Sequence, residues 1–305
     1  MRAVHPIMAR QSVAPVGVRV WVEEHTVASF FIRTFAISWA LWLLPALGVG
    51  GIAGSLGLYV GVFGPAIAAA TIVRVSGGSA RAFLKDVGVR RAPRWYIGAI
   101  ALSVFLVIAA MSLFVATGGE LDTSLLGGRA AAFLPLLVVW SIAGTGEEYG
   151  WRGFALPRLQ GSLTPVRATL LLGTLWGLWH LPLLAAADDP SHGLDALPLV
   201  GVSLLFLVAI IGYAFIYTYL YNRTRSVALA IVLHGSITAA NAGFLLDMDD
   251  QVGGTYAHQQ AIVTGLLVVV AILLVRATRG RLGLDEGRSS WNAGDDRIAA
   301  HTPAS

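Results

Sequence analysis

Two adjacent glutamates, Glu147 and Glu148, lie inside an apolar stretch, and Arg152 follows four residues after the second. A charged side chain at the centre of a membrane costs roughly 2.5–3.5 kcal/mol on insertion scales, so such groups generally have a partner and a function. On a helix, Glu148 and Arg152 lie on one face and can pair. Glu147 points about 100° away from Glu148 and has no local cation. It is therefore the carboxylate available to activate water as a general base.

Two of the seven histidines lie deep within other apolar segments. His180 closes the sequence Trp176-Gly177-Leu178-Trp179-His180. His234 is followed by Thr238 and Asn241 at i+4 and i+7, so the three share one helix face. Histidine and asparagine donors are suited to a developing oxyanion. A histidine near Glu147 could instead share the attacking water or bind a metal that holds it.

The depth of these side chains indicates that they can meet. Counted from the cytoplasmic ends of their segments, His234, Glu147 and His180 lie roughly 12, 16 and 20 Å deep at the helical rise of about 1.5 Å per residue. Taken alone, a buried histidine is more often a core residue, and Thr238 or Asn241 more often bonds its own helix. Two glutamates and two histidines from three helices at matching depth favour a hydrolytic site over a purely structural network.

The composition defines the class of protein. Of the 305 residues, 56% are hydrophobic and 12% are charged, and the charged fraction is about half that of a typical soluble domain. The sequence therefore predicts a polytopic membrane protein. It contains no cysteine, which excludes disulfides, thiolate metal sites and a cysteine nucleophile.

Eight segments are long and apolar enough to be membrane-spanning helices, which need about 20 residues. They cover residues 28–49, 55–75, 95–117, 130–158, 167–187, 196–221, 226–246 and 258–277. The fourth is too long for one perpendicular helix, so we expect it to be tilted, broken near Pro157 or partly interfacial. The predicted fold is all-α, a bundle of about eight transmembrane helices.

The distribution of charge predicts the orientation of this bundle. Nearly all of the 21 Lys and Arg residues fall on one side of the predicted spans, whereas the opposite loops carry acids, so both termini should be cytoplasmic. We read the basic charge, including the short cluster Arg90-Arg91-Ala92-Pro93-Arg94, as a topology signal and expect no nucleic-acid partner. The long first apolar run indicates an uncleaved span rather than a signal peptide.

These boundaries divide the chain into three parts. We expect a cytoplasmic N-terminal tail over 1–27, a membrane domain over 28–277 and a disordered cytoplasmic tail over 278–305, which is polar and rich in Gly, Ser, Asp and Arg. The Ala/Gly/Arg-rich, Lys-poor composition favours a bacterial plasma membrane as the location.

In order and placement, the motifs resemble those of the CAAX-protease and bacteriocin-processing (CPBP, or Abi) intramembrane proteases. The family's glutamate pair with an arginine four residues on is matched by Glu147, Glu148 and Arg152. Its aromatic residue four positions before a histidine is matched by Trp176 and His180. Its third motif is a histidine with Asn or a similar residue four positions on. His234 matches the histidine, but Thr238 occupies the position four residues on. Asn241, one turn further, is a possible substitute.

The resemblance implies an intramembrane endopeptidase whose site opens toward the cytoplasm and whose substrate is a peptide or membrane protein. Its catalytic residues would be Glu147, Glu148, His180, His234 and Asn241, supported by Arg152, Trp176 and Thr238. The family is classed as metalloprotease, and Glu147, His180 and His234 could ligate zinc with an open position. However, no His-Glu-x-x-His spacing is present. A water activated by Glu147 and His180, with His234 as oxyanion donor, accounts for the same residues.

The sequence disfavours two other protease chemistries and leaves two alternative functions open. No aspartate lies well inside a predicted span, which excludes a two-aspartate protease. Ser236 faces away from His234, and Ser141 lies six residues before Glu147, so a serine nucleophile is disfavoured. The alternatives are a proton-coupled transporter, with the same side chains as a proton relay, and a non-catalytic membrane scaffold.

Overall fold

The computed structural model describes residues 16–86, 92–121, 124, 126–186, 196–242 and 254–284. Within these ranges the chain is helical and contains no strand, which confirms the all-α prediction. The helices are α1 (Val16–Glu24), α2 (Thr26–Trp42), α3 (Gly51–Gly61), α4 (Gly64–Val75), α5 (Ala80–Asp86), α6 (Pro93–Ala116), α7 (Leu126–Gly150), α8 (Leu156–Ser162), α9 (Pro165–Trp179), α10 (Leu181–Ala186), α11 (Ala196–Thr224), α12 (Val227–Ala240) and α13 (Gly254–Ala277).

The helix lengths identify a multi-pass membrane protein. Four helices of the described chain are long and apolar enough to cross a membrane, namely Pro93–Ala116, Leu126–Ser162, Val200–Thr224 and Ala257–Ala277. α3 and α4 form a fifth candidate span with a 60° bend between them, and α2 and α12 are apolar but shorter. The predicted count of eight spans and the cytoplasmic position of both termini remain predictions.

The predicted span 167–187 is not one continuous helix, and this corrects the sequence interpretation. α9 ends at Trp179, His180 forms its C-cap, and α10 begins at Leu181. Pro182 explains the break, because its ring nitrogen carries no hydrogen for the carbonyl of Leu178 and its ring disfavours a continuing helix. His180 therefore lies at a helix end rather than within a helix.

The long fourth segment does contain an irregularity beside Pro157. α7 and α8 belong to one 37-residue stretch, Leu126–Ser162, and a π-helical turn, Trp151–Ala155, joins them. Pro157 has no N–H to donate to the carbonyl of Gly153, four residues earlier, and helices accommodate such a gap by a local change of winding. π-turns of this kind are frequent at functional sites. Here the turn carries Arg152 immediately beyond the glutamate pair.

Glycines hold α7 close to its neighbours. A Cβ on Gly144 would lie 3.0 Å from Cβ of His234 on α12. A Cβ on Gly150 would meet the backbone of Pro65 on α4, with the carbonyl oxygen at 2.7 Å. Small residues permit such approaches between membrane helices. The glutamates at the end of α7 are thereby held between α4 and α12.

The two ends of the described chain differ from the predicted tails. α1 lies within the predicted N-terminal tail 1–27, of which residues 1–15 lie outside the described residues. The predicted disordered tail 278–305 begins with residues 278–284, in which Leu282 is fully buried and its carbonyl accepts a 3.0 Å hydrogen bond from Nδ2 of Asn222. The rest of that tail, 285–305, lies outside the described residues.

Several charges on which the predicted orientation relied also lie outside the described residues. They are Arg2, Arg10, Arg90, Arg91, Asp122, Asp188, Asp189, Asp195, Asp247, Asp249, Asp250, Arg288 and Arg297.

The packing of α7 can be tested with one methyl group. Gly150→Ala is expected to lower the thermal unfolding midpoint in detergent, because overpacking costs about 1–3 kcal/mol. Gly128→Ala, on the same helix, is the control, since a Cβ there meets nothing within 4 Å. Equal midpoints for the two variants would contradict the close approach of α7 to α4.

Candidate active site

Glu148 is fully buried and is bonded to two basic side chains. Nη1 of Arg152 donates to both carboxylate oxygens, at 2.9 and 3.0 Å, so the i,i+4 pair expected from the spacing is present. Nδ1 of His234 lies 3.0 Å from Oε1 of Glu148. A carboxylate paired with arginine only accepts hydrogen bonds, so this histidine nitrogen carries the hydrogen. Glu148 therefore fixes the ring of His234 as well as the arginine.

Glu147 uses its two oxygens differently. Oε2 accepts a hydrogen bond from Nε1 of Trp176 at 2.7 Å and another from Nε1 of Trp151 at 3.3 Å. Oε1 faces Nε2 of His234 at 3.7 Å. That separation is longer than a direct hydrogen bond and is of the kind that one water can bridge. One carboxylate oxygen is thus fixed by indoles, and the other faces an imidazole.

His234 lies between the two carboxylates. Its Nδ1 points at Glu148 and its Nε2 at Glu147. With both nitrogens protonated, the ring would donate from each side, and the flanking carboxylates would compensate its positive charge. The side chain is 11% exposed, slightly more than that of Glu147 at 6%. The ring of His234 is therefore held in a fixed orientation between the two carboxylates.

His180 is connected to Glu147 through Trp176. Nδ1 of His180 lies 2.8 Å from the carbonyl oxygen of Trp176. A carbonyl only accepts, so Nδ1 carries the hydrogen, and the neutral ring keeps Nε2 as an acceptor. The indole of the same tryptophan donates to Glu147. The ring of His180 packs against Trp179 and Phe206, with centroid distances of 4.8 and 5.4 Å.

Thr238 and Asn241 are placed differently from each other. Nδ2 of Asn241 donates to the hydroxyl of Tyr213 at 3.0 Å, and seven residues of helix place Asn241 roughly 10 Å along the axis from His234. Thr238 is one turn from His234 and half-buried, and its side-chain hydroxyl has no hydrogen-bond partner among the residues that the structure describes. This geometry favours Thr238 over Asn241 as the side chain beside His234.

Tyr217 is a site residue that the sequence motifs did not indicate. The Arg152 guanidinium lies between two rings, with Cζ 4.1 Å from the Tyr217 centroid and 4.3 Å from the Trp176 centroid. All three side chains are buried. Nε and Nη2 of Arg152 have no hydrogen-bond partner in the described chain, and the aromatic faces provide their electrostatic compensation, worth about 2 kcal/mol when desolvated. α11 is thereby coupled to the glutamate pair.

The residues predicted as possible zinc ligands do not form a ligand set. Within the described ranges, no three His, Asp or Glu side chains are arranged to hold a metal ion. Oε2 of Glu147 is bonded to two indoles, and Nδ1 of His234 is bonded to Glu148. Zinc requires ligand atoms converging at about 2.0–2.2 Å. Within the described ranges, Glu147, His180 and His234 are therefore not arranged as a group of three ligands.

The site is thus a glutamate pair held by arginine, histidine and tryptophan on the helices of a multi-pass membrane protein. Residues 129–240 match a family model described as "Type II CAAX prenyl endopeptidase Rce1-like". Over 263 residues the chain is 24% identical to "CAAX prenyl protease 2" of Methanococcus maripaludis, across 81% of this chain and 92% of that protein. Both matches support the resemblance to the CAAX-protease and bacteriocin-processing family that the motifs indicated.

The family match also bears on the site residues. The matched range, 129–240, contains the glutamate pair, Arg152, both site histidines and Thr238, and it ends one residue before Asn241. The relative is an archaeal protein, so the expected bacterial origin and plasma-membrane location remain predictions.

The aromatic contacts of Arg152 give a stability prediction. Tyr217→Leu is expected to lower the thermal unfolding midpoint in detergent, because the guanidinium loses one of its two aromatic faces, about 2 kcal/mol in a desolvated site. Tyr217→Phe keeps the ring and should remain close to wild type. Tyr59→Leu, at a side chain that is 72% exposed, is the control for loss of a tyrosine. Equal stability of Tyr217→Leu and Tyr217→Phe would contradict the interaction.

Proposed function

We propose that the protein is an intramembrane endopeptidase in which Glu147 activates the water that hydrolyses a peptide bond. The observation that supports this most strongly is the asymmetry of the Glu147 carboxylate. Two indole N–H groups hold Oε2, whereas Oε1 has no direct hydrogen bond to any residue that the structure describes and faces an imidazole at 3.7 Å. A general base needs such a fixed orientation and an open oxygen toward its water.

The hydrolysis then proceeds through a tetrahedral intermediate. A water bound at Oε1 of Glu147 transfers a proton to the carboxylate, and its oxygen attacks the carbonyl carbon of the scissile bond. Nε2 of His180 accepts the second hydrogen bond of that water and orients it. When the intermediate collapses, the carbon–nitrogen bond breaks and Glu147 returns the proton to the departing amine.

His234 and Thr238 stabilise the oxyanion in this proposal. Nε2–H of His234 and the Thr238 hydroxyl, one helical turn apart, act as donors to the developing charge. Glu148 fixes Nδ1 of the same ring and therefore serves as a positioning residue rather than as a second base. Arg152 donates to both oxygens of Glu148 and so holds the carboxylate in place beside the imidazole.

We propose a membrane-associated protein or peptide as the substrate. The glutamates lie within a multi-pass helical protein. The matched family description refers to a prenyl endopeptidase, and the name of the archaeal relative refers to a prenyl protease. Because the side chains do not form a zinc ligand set, the proposed reaction uses no metal.

Replacing one carboxylate oxygen of Glu147 by an amide nitrogen tests the role of Glu147 as the base. Glu147→Gln preserves the size of the side chain and an acceptor for the indoles but removes the base. We expect the hydrolysis of a fluorogenic peptide by the detergent-purified protein to fall by about 10²–10⁴-fold. Glu120→Gln, at an exposed position, is the matched control and should retain wild-type activity.

Two outcomes would contradict this role. One is a Glu147→Gln protein that cleaves at nearly the wild-type rate. The other is a wild-type protein that cleaves no peptide but dissipates a proton gradient across liposomes, which would favour the proton-coupled transporter. A non-catalytic scaffold would neither cleave the peptide nor dissipate a proton gradient.

Metal dependence can be measured in the same assay. A zinc chelator is expected to leave the rate of peptide hydrolysis unchanged, because no step uses a bound metal. A rate that the chelator abolishes and added zinc restores would contradict the metal-free reaction while leaving Glu147 essential.

A further inference from the structure

An apolar groove runs along the outside of the α11–α13 pair. It has a volume of about 320 Å³, and its walls include Val208, Ile211 and Phe215 of α11 and Val268, Ile272 and Val275 of α13. Val208, Val268 and Ile272 are 40, 36 and 48% exposed, so the rim is open to the surroundings of the bundle. In a membrane protein these surroundings are lipid.

The floor of the groove is formed by a close helix contact. Gly212 has no side chain, and a Cβ there would lie 2.7 Å from Cβ of Leu267 on α13. Phe215 and Ala271 are nearly buried beside it. The larger side chains on each side of this contact stand above it, which produces a concave channel rather than a flat helix surface.

Among the described residues, the groove has a charge at one end. Arg276, in the last turn of α13, is the one charged residue among those that line it, and it is exposed and forms no ion pair with a described residue. From Val268 to Arg276 the helix rises roughly 12 Å, the length of an acyl-chain segment. The sequence places this end at the cytoplasmic surface, where anionic lipids attract basic side chains.

The groove is separate from the candidate active site. Tyr217 of α11 packs on Arg152 on one side of the helix, whereas Phe215, two residues earlier, lines the groove. α11 also packs against α9 through Ala214, whose Cβ lies 3.0 Å from the Cβ position of Gly173. A chain lying in the groove would therefore have α11 between itself and Glu147.

We infer that this groove binds one acyl chain of an anionic phospholipid, with the lipid phosphate paired to Arg276. The apolar walls match the chain, the concave floor accommodates it below the level of the neighbouring side chains, and the terminal cation matches the headgroup. Such a lipid would join α11 to α13 near Leu282, whose carbonyl accepts a hydrogen bond from Asn222 of α11.

Native mass spectrometry of the detergent-purified protein tests this site with dioleoyl-phosphatidylglycerol as the probe and dioleoyl-phosphatidylcholine as the neutral comparison. We expect wild type to bind the anionic lipid more tightly, and Arg276→Gln to weaken that binding by about fivefold, the effect of one basic residue at an anionic surface. Ile272→Trp fills the groove and should weaken binding of both lipids. Arg94→Gln, at an exposed position at the start of α6, is the control and should bind as wild type does.

Two results would overturn the assignment. Equal binding of phosphatidylglycerol by wild type, Arg276→Gln and Ile272→Trp would exclude the groove. Displacement of the phospholipid by a farnesylated peptide in wild type but not in Ile272→Trp would assign the groove to a prenyl chain instead. The measurement does not depend on peptide hydrolysis, so it is independent of the proposed protease activity.

Discussion

Two carboxylates buried side by side in an apolar protein each need partners that compensate for the lost contact with water. The surrounding structure follows from that requirement. Glu148 is compensated by charge, because Arg152 and His234 both bond to it. Glu147 is compensated by neutral indole donors, and its Oε1 has no direct hydrogen bond to a described residue. One carboxylate is therefore fixed at both oxygens by charged or ionisable partners, and the other is fixed at one oxygen only. The compensating side chains come from α9 and α12 and from the π-turn beyond α7, and the aromatic face from α11 completes the arrangement.

Backbone features place these donors. The π-turn at Trp151–Ala155 follows from Pro157 and carries both Trp151 and Arg152 toward the glutamates. The end of α9 follows from Pro182 and leaves His180 at the C-cap, with Nδ1 on the carbonyl of Trp176. Gly144 allows α12 to approach until His234 lies against α7. Each of these residues is far less conspicuous in the sequence than the glutamates, yet the geometry of the site depends on them.

The parts of the site that could be predicted are those governed by local spacing. The Glu148–Arg152 pair follows from the i,i+4 geometry of a helix, and the helical segments follow from apolar length. The bond from His234 to Glu148 and the position of Tyr217 depend on how α7, α11 and α12 pack, which the spacing within one helix does not encode.

The indole of Trp176 was indicated only by resemblance to a family, and its hydrogen bond to Glu147 supplies a physical reason for the tryptophan at that position. The break at Pro182 was visible in the sequence, but the apolar length of 167–187 outweighed it. Asn241 shares a face with His234, yet the rise of the helix moves it toward Tyr213.

In the proposed reaction, Oε1 of Glu147 binds the attacking water. An experimental structure in a lipid environment, at a resolution that shows ordered water, would reveal that water. One water is expected within hydrogen-bond distance of Oε1, about 2.6–3.2 Å, and in contact with Nε2 of an imidazole. A metal ion bound there by Glu147 and both histidines would contradict this reaction, as would a Glu147 side chain that faces lipid.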